Sequence, residues 1–160
     1  MKHVKIYWEE IDSFSIDELD NYSNLEEKLK EIVDDSDREI LDKNGLYAII
    51  ADNKQILYIG ETHEQTIGAR LVGDHSSYED ILNNLDDYEY ISVFAGEVIS
   101  VSGDDDMETL IKDAEACLIY KIQPEFNEKN KDTCKNEIEI INRGYFPWRN
   151  IYSCDGDEDD

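Results

Sequence analysis

The stretch Gly45-Leu46-Tyr47-Ala48-Ile49-Ile50-Ala51-Asp52-Asn53-Lys54-Gln55-Ile56-Leu57-Tyr58-Ile59-Gly60 decides the fold. Two apolar runs flank Asp52-Asn53-Lys54, a cluster of turn formers. Leu46 to Ile50 reads as one strand and Gln55 to Ile59 as its return, a β-hairpin with a tyrosine on each arm. Two phenols held side by side on rigid backbone are equipped for proton-transfer work.

The pattern continues on the C-terminal side. Thr66 to Val72 reads as a helix ending near Gly73, and Tyr78 to Leu85 as a second short helix. Tyr88 to Ile99 reads as a third strand, interrupted near Gly96. Asp104-Asp105-Asp106 marks a helix start, because acids favour the first turn. That helix runs from about Met107 to Ile122, and Pro124 stops it. Glu137 to Ile141 is a short last strand, with Tyr145-Phe146-Pro147-Trp148 as an aromatic cap on the core.

On the N-terminal side the reading is a separate leader, residues 1–43. It holds a short strand at His3 to Trp8 and a helix from Asn24 to Val33 with Asn24 as its cap. A second short helix spans Arg38 to Leu41. The leader carries 14 acidic and six basic residues and supplies acidic surface. It is expected to pack on the main domain, residues 44–150, or to cover a cationic site there. Residues 151–160 are an acidic tail without a core of their own and are expected to be disordered.

The chain has 160 residues, 40% of them hydrophobic, which suits one domain with one core. Its 40 acidic and 15 basic side chains give a formal net charge of -25. That balance excludes a generally basic surface of the kind that grips nucleic acid. Cys117, Cys134 and Cys154 form no CxxC pair and have no histidine at ligand spacing, which argues against a structural zinc site. An odd cysteine count, with no apolar leader and no membrane-length run, predicts a soluble cytoplasmic protein.

Six residues in order then form a pattern. Gly45-Leu46-Tyr47 and Tyr58-Ile59-Gly60 lie with ten residues between their tyrosines. Arg70 follows on the next helix, and then His75. Glu115 sits in Ala114-Glu115-Ala116-Cys117-Leu118-Ile119-Tyr120, and Asn127 in Gln123-Pro124-Glu125-Phe126-Asn127. Over residues 45–130 this resembles the GIY-YIG nuclease family, with leucine for isoleucine in the first motif. The resemblance implies an α/β (α+β) fold with a small three-stranded antiparallel sheet flanked by helices, carrying the acidic N-terminal extension. It implies a DNA endonuclease with a single-metal site of Tyr47, Tyr58, Arg70, His75, Glu115 and Asn127, in which Glu115 binds Mg²⁺ or Mn²⁺.

Each position has a chemical reason. Phosphodiester hydrolysis needs a nucleophilic water, a base for its proton, and stabilisation of charge on the phosphate and leaving oxygen. A divalent cation supplies much of the last two, and Glu115 is a hard oxygen ligand for it. Arg70 offers a guanidinium fork to a phosphate. The resemblance implies Tyr47 as the general base, with Tyr58 as its partner. A phenol titrates near ~10, so it needs a nearby cation to serve at neutral pH. His75 is the alternative base or a relay, although it stands five residues after Arg70 where the family more often has four, with Gly73 between. His63 is a second, exposed histidine with a weaker claim to a proton-shuttle role. Taken singly, these residues have plain roles as well: a cross-strand aromatic pair, a surface arginine, a turn asparagine, a loop histidine.

Electrostatics sets a competing reading. Residues 44–150 carry 21 acids and nine bases, so the nuclease-like region is itself acidic, whereas DNA binding rests on phosphate neutralisation. Lys121, Lys129, Lys131, Lys135, Arg143 and Arg149 make the one candidate basic lip. The enzyme reading therefore expects a DNA substrate weakly held without help. The alternative is a catalytically weak or inactive binding or regulatory protein whose acidic surface engages a basic protein partner or mimics nucleic acid.

Overall fold

A computed structural model describes residues 1–160 except 22–24, 74, 103–105, 135, 157 and 160. Its hairpin consists of β2 (Gly45–Ala51) and β3 (Gln55–Thr62), paired antiparallel. Asp52 and Asn53 have φ of 53° and 60°, left-handed values that a tight hairpin turn requires and that Asp and Asn tolerate. The Lys54 amide donates to the Ala51 carbonyl at 3.2 Å across the turn. Asp52 Oδ1 accepts from the amides of Glu89 and Tyr90 at 2.9 Å each, tying the turn to the start of the next strand.

Here the fold departs from the expected three-stranded sheet with a leading extension. The sheet has six strands in the order β3-β2-β4-β1-β6-β7. β1 (Lys2–Ser15) lies inside it, antiparallel to β4 (Tyr90–Ser102) and parallel to β6 (Glu137–Gly144). β7 (Ile151–Asp155) pairs with β6 at the far edge. The leader thus supplies a central strand, and residues 151–155 an edge strand. A short second sheet pairs β5 (Thr133–Cys134) with β8 (Glu158–Asp159).

Length and a bulge explain β1. Val4, Ile6 and Trp8 alternate inward on one face, as a half-buried strand should. The register with β4 slips between Glu10 and Asp12, leaving Ile11 as an extra residue. One extra residue inverts the side-chain parity beyond it. Phe14 therefore packs with Ile11 in a different core from Trp8. The β4 strand also runs unbroken through Gly96, contrary to the expected interruption. A Cβ at Gly96 would meet Ile6 and the Trp8 ring at 2.8 Å, so glycine is the residue that lets Trp8 lie on the sheet.

The two faces carry separate cores. One holds Tyr47, Ile49, Ala51 and Leu57 under α1 (Leu25–Asp35), α2 (Ile67–Gly73) and α3 (His75–Leu82). The other holds Leu46, Ala48, Ile50 and Trp8 under α4 (Met107–Ile122). Helix α4 has the expected limits. Asp106 caps it by accepting from the Thr109 amide at 2.9 Å, and Gln123 ends it in a left-handed conformation at φ 58°. The proposed Asn24 cap lies outside the described residues. No helix among the described residues is long and apolar enough to cross a membrane.

Cys134 and Cys154 are disulfide-bonded, and Cys117 is a buried free thiol. The pairing removes the odd-count argument for a reducing compartment. The bond closes a loop with a sequence separation of 20 and holds β7 to β5. Its loss should cost stability through the unfolded chain's freedom. Cys154→Ser is expected to lower the unfolding free energy by about 3 kcal/mol in urea denaturation under non-reducing conditions. An unchanged midpoint would show that the bond does not constrain the unfolded state.

Candidate active site

Glycine sets the geometry of the tyrosine pair. Tyr47 stands opposite Gly60 across the hairpin, and its ring lies over that glycine: a Cβ at Gly60 would run into Tyr47 Cζ and Oη. Tyr58 stands opposite Ile49 on the same face, so the two tyrosines are diagonal neighbours. Their ring centroids are 6.1 Å apart at an interplanar angle of 40°. Tyr47 is fully buried, while Tyr58 is partly exposed. Gly45 is also sterically fixed, because a Cβ there would collide with the Gly96 carbonyl oxygen. Both motif glycines thus have close-approach reasons independent of any family.

Arg70 lies on α2, the helix packed through Ile67 and Leu71 on the tyrosine face. Thr66 Oγ1 accepts from the Ala69 amide at 3.1 Å at the start of that helix. Arg70 lines a cleft of about 280 Å³ together with the loop Glu61 to Gln65, which follows Gly60 directly. The cleft therefore opens at the end of the edge strand β3, beside the glycine that seats Tyr47.

Glu115 arrives from the other side. It is partly buried on α4, beside Ala114, whose side chain belongs to the opposite core. The strand β3 is one edge of the sheet. Asn127 sits on that edge. Its Oδ1 accepts from the Ile59 amide at 2.9 Å and its Nδ2 donates to the Ile59 carbonyl at 2.8 Å. With Glu125 and Phe126 donating to Ile56 and Leu57 at 3.1 and 2.8 Å, the segment acts as a surrogate strand. Asn127 holds the middle residue of the second tyrosine motif. His75 begins α3, and its side chain lies outside the described residues.

The structure gives His63 more weight than the sequence did. Its Nδ1 lies 3.0 Å from Glu61 Oε2, and its Nε2 3.3 Å from Glu108 Oε1 on α4. Glu108 is paired at 2.9 Å with Lys112. The hydrogen bond to Glu61 raises the His63 pKa above 6.5, against a smaller opposing effect of burial. Lys112 holds the Glu108 carboxyl below its usual range. Glu108 and Lys112 are distant in sequence from His63, and only the packing of α4 beside the β3 loop joins the two halves. The His63–Glu61 spacing alone carried the local half of the signal.

For a metal, Glu115 is a single hard oxygen donor of the type that Mg²⁺ or Mn²⁺ accepts. Among the described residues, the one group of three metal-type ligand atoms within 4.8 Å of one another is Cys117, Cys134 and Cys154. Those soft sulfurs suit neither ion, and two of them are bonded to each other. In comparisons with family models, curated proteins and solved structures, the chain finds no match.

Two outcomes test this geometry. Gly60→Ala should displace the Tyr47 ring and destabilise the fold by about 1–3 kcal/mol, as overpacking does, measured by urea denaturation. An unchanged midpoint would mean the ring does not rest on Gly60. His63 should titrate above 6.5 in ¹H–¹³C NMR, and Glu61→Gln should bring it down. A folded-state pKa above the unfolded one means that protonated His63 stabilises the fold. That contribution is fully present below 6.5 and is lost as pH rises through the raised value. A titration at or below 6.5 would remove the pairing.

Proposed function

We propose that the chain is a metal-dependent endonuclease that hydrolyses phosphodiester bonds in DNA through a GIY-YIG-type site. The observation that carries this reading is the tyrosine pair, with rings 6.1 Å apart on one face of a hairpin whose two glycines are sterically obligatory. Arg70 lining the adjoining cleft supports it, since a guanidinium there can take a phosphate in two parallel hydrogen bonds.

In this reading Glu115 would hold Mg²⁺ or Mn²⁺, and the ion would supply charge stabilisation at the phosphate and the leaving oxygen. The protein's own groups do the remaining work. Tyr47, enclosed against Gly60, offers a hydroxyl whose position is fixed before substrate arrives. Tyr58, partly exposed, reaches solvent and can order the attacking water. Arg70 orients the phosphate. Asn127 is a positioning residue, because it acts on the Ile59 backbone between Tyr58 and Gly60. His63, tethered to Glu61, is a proton carrier at the mouth of the cleft. His75 keeps its proposed role as an alternative base.

The net charge of -25 favours a second reading, a catalytically weak protein that engages a basic partner through its acidic surface. A cleavage panel separates the two. With Mg²⁺ or Mn²⁺ at low salt, the enzyme reading expects cutting of plasmid, branched or single-stranded DNA. Glu115→Ala should abolish it, and Tyr47→Phe should slow it by about 10²–10⁴-fold, the usual worth of a positioned base. Absence of cutting on all three substrates, with salt-sensitive capture of a basic protein that survives Glu115→Ala, would establish the second reading instead.

A further inference from the structure

Two clefts on the surface are acidic. The one beside Arg70 includes Glu61 and Glu64, and another is lined by Asp17, Asp86 and Glu89. A third differs in kind. It has a volume of about 320 Å³ and lies between the hairpin turn, the C-terminal end of α4 and the segment before β7. Lys54, Lys121 and Arg149 line it with Trp148 and Tyr152, and no Asp or Glu is among its lining residues. In a chain with 40 acids and 15 bases, three cations from three separate segments meeting without a carboxylate is not a random draw from the surface.

The aromatic wall is built firmly. Trp148 packs edge-on to buried Trp8, with centroids 4.7 Å apart, and against Phe146 at 5.9 Å and Phe94 at 6.0 Å. The Arg149 guanidinium sits 5.5 Å from the Tyr152 ring centroid. Among the described residues, one buried side-chain nitrogen or oxygen lacks a hydrogen-bond partner, and it is Trp148 Nε1. That nitrogen is closed off from the cleft, so Trp148 meets the cleft through its ring carbons.

Cations beside an accessible aromatic ring, here the partly exposed Trp148, are the chemistry that single-stranded nucleic acid uses. Bases stack on rings, and phosphates meet Lys and Arg. A duplex offers its phosphates but keeps its bases stacked inside. The cleft also has a fixed relation to the candidate active site. Lys121 follows Glu115 by six residues on the same helix, a rise of about 9 Å, which spans one or two nucleotides. We propose that this cleft is a subsite for single-stranded nucleic acid, with an unpaired base against the partly exposed Trp148 ring and adjoining phosphates on Lys54, Lys121 and Arg149. The inference rests on the phosphodiesterase reading for its biological sense, and on the cleft alone for its chemistry.

The test is fluorescence anisotropy of the full chain with a labelled oligothymidylate in EDTA, where metal-dependent cleavage cannot intervene. Affinity should fall with salt at a logarithmic slope of about 2, the value for three phosphate contacts to a single strand. Lys54→Ala with Arg149→Ala should weaken binding about tenfold and reduce the slope to about 0.7. Both side chains are exposed, so circular dichroism should be unchanged. Trp148→Leu, which retains apolar packing but removes the stacking ring, should weaken binding without changing the slope. A duplex of equal length should bind at least tenfold more weakly. Equal binding of duplex, an unchanged slope in the double variant, or absence of binding would each overturn the proposal. Competition by thymidine 5′-monophosphate at the oligonucleotide's own affinity would overturn it in favour of a free-nucleotide site. Glu115→Ala should bind like the parent chain. Binding without any cleavage would refute hydrolysis and leave the subsite standing, whereas cleavage with no effect of the cleft variants on binding would do the reverse.

Discussion

The bulge at Ile11 is the constraint on which the rest of the molecule depends. A 14-residue strand through the middle of a sheet would normally commit its side chains to fixed faces from end to end. The extra residue moves the buried even-numbered positions of β1 from one core to the other, with Trp8 beneath α4 and Phe14 among the helices of the opposite layer. Trp8 makes the arrangement specific. Its ring occupies the space left open at Gly96, and its Nε1 donates to Asn142 Oδ1 at 2.8 Å in a buried bond. A buried polar tip of this kind is costly unless paired, so it fixes β6 beside β1 in one register. The hairpin with the tyrosines is then held at the end of a rigid sheet.

How much of this was legible follows from the range of each signal. The hairpin was legible because its turn and periodicity are local: Asp52-Asn53 both occupy left-handed backbone, and the strands alternate on either side. Helix α4 was legible because Asp106 and Pro124 bracket an apolar pattern. The six-stranded sheet was not. His3 to Trp8 reads as a strand, but nothing local says that its partners are residues 90–102 and 138–144. The acidic composition of residues 1–43 suggested a solvated leader, while Val4, Ile6 and Trp8, all fully buried, decide its place. Strand β7 was hidden for a similar reason, since Tyr152 and Cys154 are its inward residues and acids follow at once. A disulfide across a sequence separation of 20 leaves no trace in cysteine spacing.

The candidate site was legible in type and partial in geometry. Tyr47 and Tyr58 were paired by the turn between them. Asn127 was singled out, but its two bonds to Ile59 make it part of the scaffold that holds the second motif. Glu115 depends on how α4 crosses the sheet, which a helical pattern cannot specify. The link from Glu61 through His63 to Glu108 and Lys112 joins a loop to that helix and emerges only once the two are packed.

Electrostatics then bears on how such a site would meet a polyanion. Coulombic repulsion between exposed charges fades over a Debye length of about 8 Å at physiological salt, so the total charge matters less than what lies near the bound strand. Near the Arg70 cleft lie Glu61 and Glu64. Near the far end of α4 lie Lys54, Lys121 and Arg149, without a carboxylate in the lining. A nucleic-acid strand would be held at the cationic cleft and repelled elsewhere, which is selection by exclusion as much as by attraction. An acidic exterior in that case does not argue against a polyanionic substrate. It would suppress unspecific binding along the surface and leave recognition to the cleft where Lys54, Lys121, Arg149 and Trp148 converge.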